Sequence, residues 1–88
     1  MPRQFRHRSR SEINSSILDV TNGHRVRITE IEFKTCLSYN VLKDYLAHLL
    51  HCDLIEYIEG ERTFKTTPKG MQALQTYNRM EELFIKTR

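Results

Sequence analysis

The chain lacks any apolar run long enough to cross a membrane, and no hydrophobic signal segment comes after Met1. A helical membrane span is therefore excluded by the sequence, and a cytoplasmic, nucleoid-associated location is expected. The arginine- and serine-rich start resembles a transit peptide only as far as Ser9, where a helix start is encoded. Cysteine is scarce: Cys36 and Cys52 are the only two, and without an export signal reduced thiols, small and buried at helix ends, are expected. There is no CxxC pair and no HxxxH pair. His48 and Cys52 are four residues apart with His51 adjacent, but zinc takes three or four protein ligands, so neither a metal nor another cofactor is expected. A glycine-rich phosphate loop, a nucleophile elbow and a carboxylate pair with a reason to be perturbed are also missing, which argues against an enzyme.

Acid is absent from the first ten residues, MPRQFRHRSR, which hold Arg3, Arg6, Arg8 and Arg10. Beyond them lie ten of the fourteen basic groups and all eleven acidic ones, so the body carries a net charge of −1 and the arm the whole excess. Residues 1–10 therefore read as a basic flexible arm, either a solvated tail or a segment that binds a polyanion. The chain as a whole has the size and composition of one packed domain, with 39% hydrophobic and 28% charged residues in 88.

Local signals divide that domain. Ser9 and Glu12 fit a capping box that opens a helix from about Arg10 to Thr21, with Ile13, Ile17, Leu18 and Val20 on its apolar side and Asn22-Gly23 to end it. HRVRI, residues 24–28, alternates like a very short strand. Thr29 and Glu32 predict a second capping box, with Ile28 and Phe33 as its hydrophobic staple. This helix must stop before Ser38, itself an N-cap, where Leu37 and Leu42 repeat the staple spacing. Two helices so close predict a helix-turn-helix.

The helix from Tyr39 to His51 buries Leu42, Tyr45, Leu46 and Leu49 and turns Asn40, Lys43, Asp44, Ala47, His48 and His51 outward. LIEYI and TFKTT predict two strands about Glu59, Gly60 and Glu61, with glycine supplying the permissive backbone; which face of the first strand is buried stays open. Thr67 and Pro68 start a last helix running to the end. Met71 and Leu74 suit packing on the body. Ala73, Tyr77, Met80 and Phe84, spaced four, three and four apart, form a seam of about two heptads that needs a partner.

The order helix, short strand, helix, helix, hairpin, long helix predicts an α+β winged helix-turn-helix: a basic arm (residues 1–10), a winged-helix domain (residues 11–70) and a dimerisation helix (residues 68–88). The run LSYNVLKDYLAHLLHCDLIEY, then FKTTPKG and a long final helix, resembles the archaeal winged-helix family that includes small DNA-binding proteins of this size and single-domain transcriptional regulators. The resemblance rests on Leu37-Ser38-Tyr39 opening the recognition helix, Leu54-Ile55-Glu56 starting the wing, and Thr67 with Gly70 entering the final helix. It departs at Cys52-Asp53, where a glycine-containing turn is more usual, and in the longer arginine arm. It implies a homodimer joined by a coiled coil through Ala73, Tyr77, Met80 and Phe84.

A helix so presented fits the DNA major groove, while the hairpin tracks the neighbouring backbone. Ser38, Tyr39, Asn40 and Lys43 would then face the groove, Arg62 and Lys65 would meet phosphates, and Arg3, Arg6, Arg8 and Arg10 would wrap the duplex. Asn40 is the candidate base reader, since an amide can bond adenine through two contacts. Each has a plainer role: Ser38 is needed as a cap, Tyr39 can lean on the core, and Asp44, Glu59 and Glu61 would repel phosphate. These acids favour selective binding by a transcriptional regulator over indiscriminate coating. The alternative is a winged helix that serves as a protein-protein interaction module without binding DNA.

Overall fold

The computed structural model describes residues 8–86, and side chains as far as Phe84. Arg3 and Arg6 of the expected arm lie outside the described residues. Seven elements occur in order: α1 (Arg10–Val20), β1 (Val26–Arg27), α2 (Ile28–Thr35), α3 (Tyr39–His51), β2 (Ile55–Ile58), β3 (Thr63–Thr66) and α4 (Pro68–Lys86). This is the α+β winged arrangement, with one addition: the hairpin is not isolated. β1 pairs antiparallel with β3, which also pairs with β2, giving a three-stranded sheet of order β1-β3-β2.

α1 starts as its sequence dictates. The Ser9 hydroxyl accepts from the Glu12 amide at 3.0 Å and the Glu12 carboxylate accepts from the Ser9 amide at 2.8 Å, so two orphan donors are satisfied reciprocally. α2 does not start as expected. Its N-cap is Arg27, with no side-chain cap, and the helix is under way before Thr29. Phe33 is 82% exposed, so the staple with Ile28 does not form. The reason is tertiary: pairing of Val26 and Arg27 with Phe64 and Thr63 fixes where the chain leaves the sheet, and with it the helix start. The strand expected over residues 24–28 shrinks to two residues for the same reason.

α3 begins at Ser38, whose hydroxyl accepts from the Val41 amide at 3.4 Å. Leu42, Leu46 and Leu49 are buried with Ile17, Leu18, Val26, Ile31, Ile55, Phe64 and Leu74, and Tyr45 is half-buried against them. The first hairpin strand turns its Ile55 side to the core, and Tyr57, two residues on along the same face, lies past the core's edge and is exposed. A buried threonine pair joins α1 to the sheet: the Thr66 hydroxyl donates to the Leu18 carbonyl at 2.8 Å and lies 2.7 Å from the Thr21 hydroxyl, while the Thr66 amide donates to the Thr21 carbonyl.

Three turns place a residue other than glycine in the left-handed conformation. α3 ends with the Asp53 amide on the Leu50 carbonyl and the Leu54 amide on the Leu49 carbonyl, and Asp53 is left-handed at φ 62°, the Schellman arrangement that usually employs glycine. The departure from the family pattern at Cys52-Asp53 is thus filled by an aspartate, one of the residues best able to take that conformation. In the hairpin turn the left-handed residue is Arg62, at φ 59°, and not Gly60. Cys36 does the same at the end of α2, with φ 59°; it is exposed and Cys52 only half-buried, so neither is the buried cysteine expected.

α4 is capped by Thr67, whose hydroxyl accepts from the Gly70 amide at 3.0 Å and donates to the Asp53 carbonyl at 2.6 Å. Gly70 is buried where a Cβ would overlap the Leu54 carbonyl oxygen and approach the Thr66 methyl at 2.8 Å, which explains a glycine inside a helix. Leu74 packs into the core, but Met71, expected beside it, is exposed.

Candidate nucleic-acid interface

The outward face of α3 is open. Ser38, Tyr39, Asn40, Lys43, Asp44, Ala47, His48 and His51 are all exposed, Tyr39 by 53%. For Asn40, Lys43 and Ala47 exposure is a consequence of the helical period, since Leu42, Leu46 and Leu49 point to the core from the other side; Tyr39 is in line with Leu42 and Leu46 and is exposed at the first residue of the helix. α2 closes beneath them through the left-handed Cys36, so the first turn of α3 is presented at the surface of the helix-turn-helix.

The sheet divides the two wing cations. Arg62 lines a hollow with Tyr39, Leu50 and Tyr57, on the side of α3. Lys65 is half-buried opposite Glu56 in the β2-β3 register and lines a separate hollow with Asn22 and Thr67. Strand alternation forces this, because Lys65 lies between Phe64 and Thr66, whose side chains face the core. Arg62 and the α3 residues are therefore brought together, and Lys65 is set apart from them.

Two cations missed in the sequence join the wing. Arg25 Nη1 lies 2.7 Å from Glu61 Oε2, with both side chains about half exposed, so one of the wing's acids is already matched by a cation. Arg27 is exposed at the end of β1 and pairs with Thr63, the residue that follows Arg62. Only strand pairing places them there, and a two-residue strand gives almost no signal for its partner.

Arg8 is not loose. Its Nη2 donates to the Thr35 carbonyl at 2.9 Å, across the last turn of α2, where a carbonyl has no helical partner. Arg8, Ser9 and Arg10 are thus part of the folded body, and Arg10 borders a groove with Val41, Asp44 and His48 of α3. Two of the four arm arginines are held beside the helix-turn-helix. His48 Nε2 lies 3.7 Å from Cys52 Sγ, but among the described residues no group of three or more histidine, cysteine or acidic side chains could hold a metal ion.

A family model described as winged helix-turn-helix matches residues 7–84. The chain belongs to the winged helix-turn-helix family. No curated protein matches it. Winged helices commonly bind DNA, and α3 takes the place of the recognition helix and β2-β3 that of the wing. No described helix is long and apolar enough to cross a membrane.

At the other end of the molecule, α4 lays Ala73, Tyr77, Met80 and Phe84 along a groove completed by the N-cap Ser9 and by Ser11 and Glu12 of α1. Ala73 is half-buried against the core, Met80 is 50% exposed and Leu83 60%. The Tyr77 hydroxyl donates to Glu81 Oε2 at 2.9 Å, and burial together with that carboxylate raises the phenol's pKa.

Proposed function

We propose that this winged helix is a DNA-binding transcriptional regulator that acts as a homodimer, with α3 in the major groove and the wing and arm on the backbone. The observation that carries the reading is the exposed first turn of α3, with Asn40 and Lys43 free of the core and Arg62 on the same side. A major groove about 12 Å wide accepts a helix presented in this way. The acids that interrupt the surface, Asp44 and Glu59, favour selection by groove fit over uniform coating. The distal half of α4, with its heptad-spaced stripe, supplies the contact between two copies and so sets the distance between two recognition helices.

The test is duplex binding measured against salt, after selection from random sequences. Enrichment of a palindrome is expected. Asn40→Ala relaxes preference at one base pair, costing about 1–3 kcal/mol of discrimination. Lys43→Gln lowers affinity evenly across sequences and reduces the salt slope by about 0.9, and removal of residues 1–7 reduces it by up to about 2, one unit for each arginine lost. A chain that binds no duplex at low salt is a protein-interaction module instead.

A further inference from the structure

The hollow between α3 and the wing measures about 400 Å³ and is lined by Ile28, Tyr39, Leu50, Tyr57, Arg62 and Phe64. A surface meant only for a duplex backbone is cationic and polar, because phosphates and sugars are what it meets. This one gathers two tyrosine rings and three apolar side chains around a single guanidinium. Tyr39 and Tyr57 are both exposed. Tyr57 is also fixed from behind: it pairs with the buried Phe64 across β2-β3, with ring centroids 5.0 Å apart and planes tilted by 48°. A ring held on one side and open on the other is a platform for a second flat ring.

Charge identifies what that ring belongs to. The lining holds no acid; Glu56 is set in register with Lys65, away from Tyr57, and Glu61 is matched by Arg25. Lys43 lies one helical turn from Tyr39, and Arg27 adjoins Ile28. Flat apolar faces rimmed by cations match unpaired bases on a polyanionic strand, whereas bases within a duplex are stacked on one another and offer no such face.

We infer that this hollow takes unpaired bases of single-stranded DNA, stacked on Tyr57 and Tyr39, with the strand's phosphates on Arg62 and Lys43. The inference rests on the DNA-binding reading and goes beyond it: one surface serves a duplex and an opened strand, so the two compete.

The experiment uses the full chain with an oligothymidylate of about 12 nucleotides, within the size range of single-strand sites, monitored by anisotropy and intrinsic fluorescence. The chain contains no tryptophan, so the emission is that of tyrosine and stacking quenches it. Wild type binds with quenching; Tyr57→Ala lowers strand affinity about 5- to 100-fold, and Tyr57→Phe stays within about twofold. Duplex affinity falls less in Tyr57→Ala. Should that variant lose its circular dichroism signature, Tyr39→Ala, outside the core, is read by strand affinity and quenching alone, because Tyr39 also belongs to the duplex surface. Duplex binding without strand binding overturns the inference and leaves the DNA reading intact. Strand binding that survives both alanine variants also overturns it, and failure to bind either form of DNA brings down both.

Discussion

Arg62 carries two demands that pull apart. Its left-handed backbone closes the wing turn, with its amide on the Ile58 carbonyl at 2.8 Å, and its side chain is the wing's contribution to the α3 surface. A left-handed non-glycine residue costs about 1–2 kcal/mol, partly offset because glycine loses more chain entropy on folding, by about 0.4–1 kcal/mol. Arg62→Gly is therefore expected to raise stability by about 0.5–1 kcal/mol in urea unfolding while weakening duplex binding and lowering its salt slope. A less stable Arg62→Gly would show that the side chain holds the turn together. Residue-scale strain of this kind was not legible in the sequence, where Gly60 carried the expected signal. Backbone geometry chose Arg62, because the turn's hydrogen bonds to Ile58 demand the positive φ at its last position. Gly70 was legible as a family step but not as a steric necessity, since the Leu54 carbonyl it faces is sixteen residues away.

At the scale of elements, success came from local signals and failure from tertiary ones. α1 and α3 were readable to within a residue, because Ser9, Glu12 and Ser38 are caps whose partners lie three residues on. α4 was readable from Thr67-Pro68 for the same reason. α2 misled, since Thr29 and Glu32 have the spacing of a box but strand β1 had already set the start at Ile28. Arg27 therefore occupies an N-cap that it cannot fill. Arg27→Asp supplies an oxygen acceptor and a favourable charge at the helix start, which is worth about 0.5–2 kcal/mol. The expected outcome is a higher midpoint in thermal unfolding together with weaker duplex binding, as an exposed cation at the edge of the wing's sheet becomes an anion. Stability and affinity moving in opposite directions would place Arg27 in the interface; equal affinity would remove it.

On the scale of the whole molecule, the chain extends 47 × 29 × 20 Å, and much of its long dimension is α4, about 28 Å at 1.5 Å per residue. The near half of α4 is spoken for, by Leu74 in the core and Ala73 against it. The far half carries Met80 into solvent beside Tyr77, in the stripe that the sequence period made plain and for which the resemblance implies a second copy as partner; Leu83, outside that stripe, is exposed as well. Two heptads are a short seam, below what a stable coiled coil normally uses, so the groove beside Ser11 and Glu12 of α1 would have to add area for a dimer to persist at micromolar concentration. A triple variant, Tyr77→Gln, Met80→Gln and Phe84→Gln, leaves the buried core residues untouched. It should sediment as a monomer with unchanged helix content, and it should bind a single half-site as wild type does while losing affinity for two half-sites. A triple variant that remains a dimer would move the subunit contact away from α4 and leave the spacing of paired recognition helices to another surface, whereas wild type that already sediments as a monomer would end the homodimer reading.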